Sequence, residues 1–591
     1  MKLKNKVEFH PASQRVFGYV NCGTGTEDTD CSDECTEALV FLIVPINSCF
    51  KVPIGYFLIN GLNGEQKATL VLQALSLCHD VKVNVVALTF DGCPANLTMA
   101  KKLGCNLKPE NLKTAFKHPE TGANVVIWPD PCHMIKLIRN AFHFYKEFVD
   151  KDGNNIKWQY IEDLHKLQES ENFHMANKLR ASHINFKDNI MKVKLATQLF
   201  SRSVAKALQF CNHLDLEEFS NVKWTADMLL LLNDAFDILD SRVHARGLKR
   251  ALNCENYDAA MQRLEEAKEF MLSIKTNNVK NKSTQVKLID SPRFTGFLGM
   301  CVVIESVKIL YKDLINNEQI PITYLPLHKL SQDHIELFFC NIRSHGSCNN
   351  NPTPRLFESI YKKILVHTEL RDTGNGNCIP LENISILNCS TPTERINITT
   401  PGFCYSDIET TEDSNTDNEP ELDILAMSLS RFSENVVEYL AGFVVSSLLK
   451  KLKCSVCIQA LVSIVENKNS LIYYRDFGGL IYPSKTVIKI CKRGEMTIKK
   501  YLYHDDTQQK NKYFRSEFLM TQTLNTFIGE QLFSEFNYHQ FDTCETNHII
   551  DLTKCVIKKY IDTRLSYLVK SKIKKKVIRR VYTKLIHFKN Q

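Results

Sequence analysis

The sequence predicts an α/β protein: a sheet domain interrupted by a large all-α insertion, followed by a mostly helical C-terminal block. Three observations predict it. β-rich runs separated by Pro, Gly and polar breaks recur from Arg15 to Trp128. Helical periodicity and charge take over from about Tyr145 to Asn317. An acidic Thr/Asn/Asp/Glu-rich stretch, Asp372–Asp423, then precedes a last block from about Ile424.

The stretch Val85–Asn96, VVALTFDGCPAN, organises the first part. Its apolar run ends at Asp91, and Gly92 and Pro94 break it. This pattern predicts a buried parallel strand that delivers one carboxylate to its C-terminal end, where α/β folds bind ligands. The other reading of Asp91 is a cap for the following helix, a role that Asn96 fits equally well.

Before it, Arg15–Asn21, Ala38–Ile46 and Lys51–Asn60 read as strands. Only Asn47–Phe50 joins the last two, which predicts an antiparallel hairpin. Glu65–His79 has helical spacing. After Asp91 come a short helix, a strand at Ala123–Trp128, and a helix over Met134–Phe144 behind Pro129-Asp130-Pro131-Cys132-His133. Allowing one more strand at the front, this is the order of a ribonuclease-H-like fold, an antiparallel meander leading into parallel strands. Thr225–Arg242 and Tyr257–Lys275 are amphipathic helices of the insertion. In Leu330–Arg343, LSQDHIELFFCNIR, Asp333 and Glu336 fall three apart on one helical face. Glu336 stands among apolar residues, as groups placed for metal or proton chemistry do. Asp333 also suits the start of a helix, where the dipole favours an acid.

Composition bounds the rest. The 591 residues suggest roughly three to five domains at ~100–200 residues each. Hydrophobic residues make up 44% and charged residues 24%, enough for sizeable cores. The domains are expected at 1–144 and 319–371 for the two parts of the sheet domain and 145–318 for the insertion. A linker over 372–423 and a helical domain over 424–591 complete the chain. The net charge of +8 is uneven: twelve Lys/Arg and one acid lie between Val556 and Gln591. Such a basic end, with Lys574, Lys575, Lys576, Arg579 and Arg580, suits a polyanion such as DNA, or a solvated face. The 21 cysteines have no framework spacing, the N-terminus has no secretory pattern and no apolar run approaches ~20 residues. Reduced cysteines, no membrane and a nuclear or cytoplasmic setting follow. Cys454-Ser-Val-Cys457 has zinc-ligand spacing, with His548 or Cys544 as further ligands; reduced core cysteines are the alternative. Lys136 and Arg139 face either DNA phosphate or solvent. Asp130 and His133 read as supporting groups of a nearby site or as a helix cap.

Several long blocks resemble the P-element type DNA transposases, including vertebrate relatives that carry a THAP zinc finger. They are FGYVNCGTG, EALVFLIVPINSCFKVPIGYFLINGLNGEQKA, LTFDGCPANLTMAKKLGC, WPDPCHMIKLIRNAF, TADMLLLLNDAFDILDSR, LSQDHIELFFCNIRSHGSCNNNPTPRLF, VVEYLAGFVV, GGLIYPS and IKKYIDTRLSYLVK, in family order over nearly the whole chain. The resemblance implies a catalytic domain of the Asp-Asp-Glu class, with Asp91 as the second Asp and Glu336 as the Glu. It implies DNA cleavage and joining of a 3′-hydroxyl to target DNA, assisted by two Mg²⁺, hence DNA integration and recombination in the nucleus by a homo-oligomer. It also implies a GTP-binding insertion, for which Thr225, Asn233, Asp237 and Ser241 are the expected contacts. No G-x-x-x-x-G-K-[ST] pattern supports a nucleotide site independently.

In that family the first catalytic Asp lies in an Asp-Glu-Met block, and Met1 matches its Met. The resemblance therefore places the first Asp, the first strand and the THAP finger outside this sequence. A copy written this way is expected not to cut DNA strands. The alternative is a domesticated, non-catalytic derivative that binds DNA or protein.

Overall fold

The computed structural model describes residues 1–23, 33–277, 284–317, 320, 322–345, 351–366, 428–463, 468–503, 516–539 and 548–572. It divides into two compact units. One comprises Met1–Glu162, Lys178–Ala205 and Val222–Ile398; the other comprises Asp163–Asn177, Lys206–Asn221 and Thr399–Gln591.

In the first unit, β1 (Glu37–Ile43) and β2 (Val52–Ile59) form the expected antiparallel hairpin. Their register shifts between Phe41 and Leu42, opposite Pro53, which has no N–H to give to a ladder. Residues 1–3 run along the start of β1: the Met1 ammonium donates to Ala38 O at 2.7 Å and Leu3 N to Thr36 O at 2.8 Å. The run Arg15–Asn21 is not one strand. Arg15–Phe17 pairs with Glu8–His10, and Gly18, at φ +119, turns the chain away.

Helix α1 (Gly64–Asp80) starts at a capping box in which Asn63 and Gln66 satisfy each other's backbone N–H groups. β3 (Ala87–Phe90), α2 (Pro94–Lys102), β4 (Ala115–Lys117) and β5 (Asn124–Pro129) follow. β3 pairs parallel with β5, and the short β4 pairs antiparallel on the other side of β5, giving the order β3–β5–β4. Val125, Val126, Ile127 and Trp128 are all buried, as in a strand covered on both faces. Ala68, Val71 and Leu75 of α1 join Phe90, Val125 and Ile127 in one core with Leu298 and Val302 of a later helix. Among the described residues, β1–β2 and β3–β5–β4 share no ladder, whereas the sequence reading puts them in one sheet.

Helix α3 (Pro131–Tyr145) leaves β5, and α4 (Lys223–Leu239), α5 (Tyr257–Ser273) and α6 (Thr295–Leu314) dominate the insertion. A Cβ at Gly296 would stand 3.0 Å from both Met134 O and Ile138 N, so α6 crosses α3 at backbone contact. The insertion is mostly, not wholly, helical. Glu147–Val149, Asn155–Lys157, Lys275–Asn277 and Gln285–Lys287 form a four-stranded antiparallel sheet. Asp152-Gly153 makes its first turn, with Gly153 at φ +86. After the insertion, α7 (Asp333–His345) and α8 (Pro354–Val366) return to the hairpin. Phe338, Ile342, Phe357, Ile360 and Tyr361 pack with Ala38, Val40 and Leu58.

The second unit is helical: α9 (Arg431–Leu449), α10 (Ser455–Leu461), α11 (Lys485–Tyr503), α12 (Ser516–Asn525) and α13 (His548–Lys572). Its interior holds a buried ion pair. Arg564 of α13 donates from Nε and Nη2 to the two carboxylate oxygens of Glu495 on α11, each at 2.8 Å, and Tyr560 OH adds a third bond at 2.8 Å.

Candidate divalent-cation site

Parallel pairing sets the site. Phe90 stands opposite Pro129, so Asp91 and Asp130 leave neighbouring strands at the same end, and Asp130 N donates to Phe90 O at 2.9 Å. Asp91 is half-buried. Its Oδ1 accepts from Cys93 N at 3.0 Å and from Asn96 Nδ2 at 2.8 Å, while Lys67 Nζ holds Asn96 Oδ1 at 2.8 Å. Both bonds fall on Oδ1. The N-cap of α2 is Cys93, without a side-chain bond, so neither Asp91 nor Asn96 caps that helix.

Asp130 caps α3 by accepting from His133 N at 3.0 Å, and its other oxygen accepts from Gln332 N at 3.3 Å. Burial pushes its carboxyl up to about 6 against the pull of nearby His133. Thr89 Oγ1 donates to Leu330 O at 2.9 Å. β3, α3 and the segment before α7 are thus stitched together, and Phe338 and Ile342 seat α7 on the hairpin.

That places Glu336 beside α3. His133 Nε2 lies 3.5 Å from Glu336 Oε1 and 3.2 Å from Lys136 Nζ. One ring nitrogen serves both neighbours: it accepts from the ammonium or donates to the carboxylate. Burial lowers the Lys136 pKa, opposed by the carboxylates of Glu336, Asp130 and Asp91. One ammonium therefore senses the three acids together. Asp333, in the first turn of α7, adds negative charge that raises Asp130.

Two expectations about DNA contact are overturned by burial. Lys136 is 3% exposed and turned to these acids. Arg139 is fully buried: it donates to Asn140 Oδ1 at 2.9 Å and Ile190 O at 2.7 Å, and lies over the Phe186 ring at 3.9 Å. Neither reaches a phosphate. The expected basic residues Lys574, Lys575, Lys576, Arg579 and Arg580 lie outside the described residues. A basic run missed in the sequence lies along α11: Lys485, Lys489, Lys492 and Arg493 line a shallow groove with Ile488 and Met496, with Lys489 and Arg493 paired to Glu530 and Lys492 to Glu434. Their spacing of three and four was the available signal.

The four residues expected to contact GTP do not form an open site. Thr225 and Ser241 are fully buried; Thr225 Oγ1 accepts from Lys157 N at 3.0 Å and Ser241 Oγ from Leu327 N at 3.3 Å. Asn233 accepts from Arg202 N at 3.2 Å and donates to Asp237 at 3.2 Å, and Lys249 pairs with Asp237 at 3.2 Å. These groups hold the insertion together, so they do not fit as a nucleotide cradle. Cys454, Cys457 and His548 do converge, with ligand atoms all within 4.8 Å of one another; Cys544 lies outside the described residues.

Four family models match the chain: "TNP-like, RNase H N-terminal domain" at residues 1–104, "TNP-like, GTP-binding insertion domain" at 132–251, "TNP-like, RNase H C-terminal domain" at 328–362 and "DNA transposase THAP9, C-terminal domain" at 428–570. The human DNA transposase THAP9 (Homo sapiens) is 29% identical over 590 residues, 97% of this chain and 64% of the human protein. The chain is homologous to the P element and THAP9 transposases. The Transposable element P transposase of Drosophila melanogaster is 28% identical over 412 residues, 68% of this chain and 49% of that protein. This chain thus spans less than two thirds of the length of either relative. A Drosophila P element transposase strand transfer complex matches in structure with a TM-score of 0.52. It covers 62% of this chain and 75% of that one at 24% identity, a likeness of fold. The fold is therefore ribonuclease-H-like with a GTP-binding-type insertion. A domain of this family implies a divalent metal. The donor chemistry suits one: Asp91 and Glu336 are partly exposed carboxylates, and the charge of both acts on the Lys136 ammonium. Among the described residues no helix is long and apolar enough to cross a membrane.

Proposed function

We propose that this chain is the ribonuclease-H-like core of a P-element type DNA transposase, with Asp91 and Glu336 among the carboxylates that hold its divalent cation. The reading is supported by Asp91 leaving the same end of the parallel pair as Asp130 and by the contact of Glu336 with His133 on the helix that Asp130 caps, with Asp91, Asp130 and Glu336 all acting on the charge of Lys136. A cation there, Mg²⁺ by its preference for carboxylate oxygen, would stabilise charge developing on a phosphodiester.

The chain's own residues do the positioning. Asn96, braced by Lys67, fixes Asp91 through Oδ1. His133 sets the orientation of Glu336 from α3. Lys136, beside His133, offsets the charge of the carboxylates. DNA is the proposed partner, joined by a second copy of the chain because two DNA ends must be held together, in the nucleus. The insertion is proposed to bind GTP, through surfaces other than Thr225, Asn233, Asp237 and Ser241.

A second reading, DNA binding without strand cleavage, draws on the basic stripe of α11. Both readings require specific duplex binding. Selection of duplexes from a random pool by the full chain, followed by titration across salt, tests this. The expected result is enrichment of a defined motif and affinity that falls steeply with salt. No enrichment and no binding would remove both readings. Binding of a divalent cation that is lost in Asp91→Asn and Glu336→Gln separates the first from the second.

A further inference from the structure

We propose that Cys454, Cys457 and His548 bind a zinc ion that fastens the start of α10 to the start of α13. Cys454 immediately precedes α10, Cys457 lies in its first turn, and His548 opens the 25-residue α13. The three ligand atoms all lie within 4.8 Å of one another, and Cys457 Sγ is 3.9 Å from His548 Nδ1. Ligands of a tetrahedral zinc stand ~3.3–3.8 Å apart, given Zn–S bonds of ~2.3 Å and Zn–N bonds of ~2.0 Å. A small inward movement of side chains therefore completes the shell.

The ligand chemistry selects the metal. Two thiolates and an imidazole are soft donors that suit zinc, and they disfavour the hard cation held by carboxylates in the first unit. Cys457 is buried and the other two are half-buried, so the centre is shielded but retains a fourth position for water or another ligand. The ion would join residues 91 positions apart in sequence. Metal binding of this kind also stabilises the folded state, since the dispersed ligands of the unfolded chain do not form the site.

A C-x-x-C pair is also the signature of a redox dithiol, and the test separates the two. The full chain is purified without chelator and its zinc content measured, beside Cys457→Ser, His548→Ala and, as control, Cys254→Ser, an exposed cysteine of the first unit. One zinc per chain is expected in the parent and the control, and close to none in the other two. Should those variants fold poorly, Co²⁺ replacing zinc in the parent chain supplies a second readout: thiolate-to-cobalt charge transfer together with the visible bands of a tetrahedral ion. Parent protein that binds neither zinc nor cobalt overturns the proposal. So does undiminished zinc in folded Cys457→Ser and His548→Ala, or a Cys454–Cys457 disulfide in metal-free protein isolated anaerobically.

Discussion

His133 Nε2 stands 3.5 Å from Glu336 Oε1, and this contact joins α3 to α7 at the mouth of the carboxylate cluster. Replacing His133 removes the group that orients Glu336 but leaves its backbone N–H, which Asp130 uses to cap α3. His133→Ala is expected to weaken Mn²⁺ binding by about 10-fold, a common cost of losing a partner of a metal ligand, with little change in thermal unfolding. Isothermal titration together with circular dichroism checks both. Reduced stability with unchanged Mn²⁺ affinity would reduce His133 to packing.

Asp130 gives a pH signature. Burial raises its carboxyl from an ordinary 3.8 to about 6, so the folded state favours the protonated form. Its stabilising contribution is present in full below the unfolded value and is lost as pH rises through about 6. Asp130→Asn keeps an acceptor for the α3 cap but cannot ionise. It is expected to flatten the fall in unfolding midpoint between about pH 4 and pH 6. An unchanged slope would show that Asp130 is ionised throughout.

In the second unit, the Glu495–Arg564 pair is 0% and 2% exposed. Arg564→Met strands a buried carboxylate and is expected to cost about 3–5 kcal/mol. Glu495→Leu combined with Arg564→Met removes both charges and should cost less than the single change. Urea denaturation of the two variants measures the difference. A double variant no better than the single one would contradict the argument.

The α11 stripe predicts where DNA phosphate is met. Lys489→Gln and Lys492→Gln should each weaken duplex binding and reduce the magnitude of the log–log salt slope by about 1. Arg139→Met should leave that slope unchanged, because the guanidinium is buried against Phe186 and Ile190. Fluorescence anisotropy over a salt series distinguishes them.

The place of Asp91 just past a strand was legible, since its apolar run stops at one acid before Gly and Pro. The place of Glu336 in the first turn of a helix was legible too, with Ile335, Leu337 and Phe338 beside it. Lys136 and Arg139 misled, because cations three apart on a helix look solvent-facing. The segment that covers Arg139, with Phe186 and Ile190, lies about fifty residues further on and makes no local mark. Thr225 and Ser241 failed likewise: their backbone partners, Lys157 and Leu327, are distant in sequence. The small sheet of the insertion was announced only by Asp152-Gly153, a turn hidden between charged residues. Cys454 and Cys457 declared themselves by spacing, whereas the closeness of His548 is purely a product of folding.

The most direct test of the central claim is Mn²⁺ binding to the full chain, followed by electron paramagnetic resonance. Asp91→Asn and Glu336→Gln should each lower affinity by about 10-fold or more. Equal Mn²⁺ affinity in the parent, Asp91→Asn and Glu336→Gln proteins would contradict the assignment of these two carboxylates as the cation site.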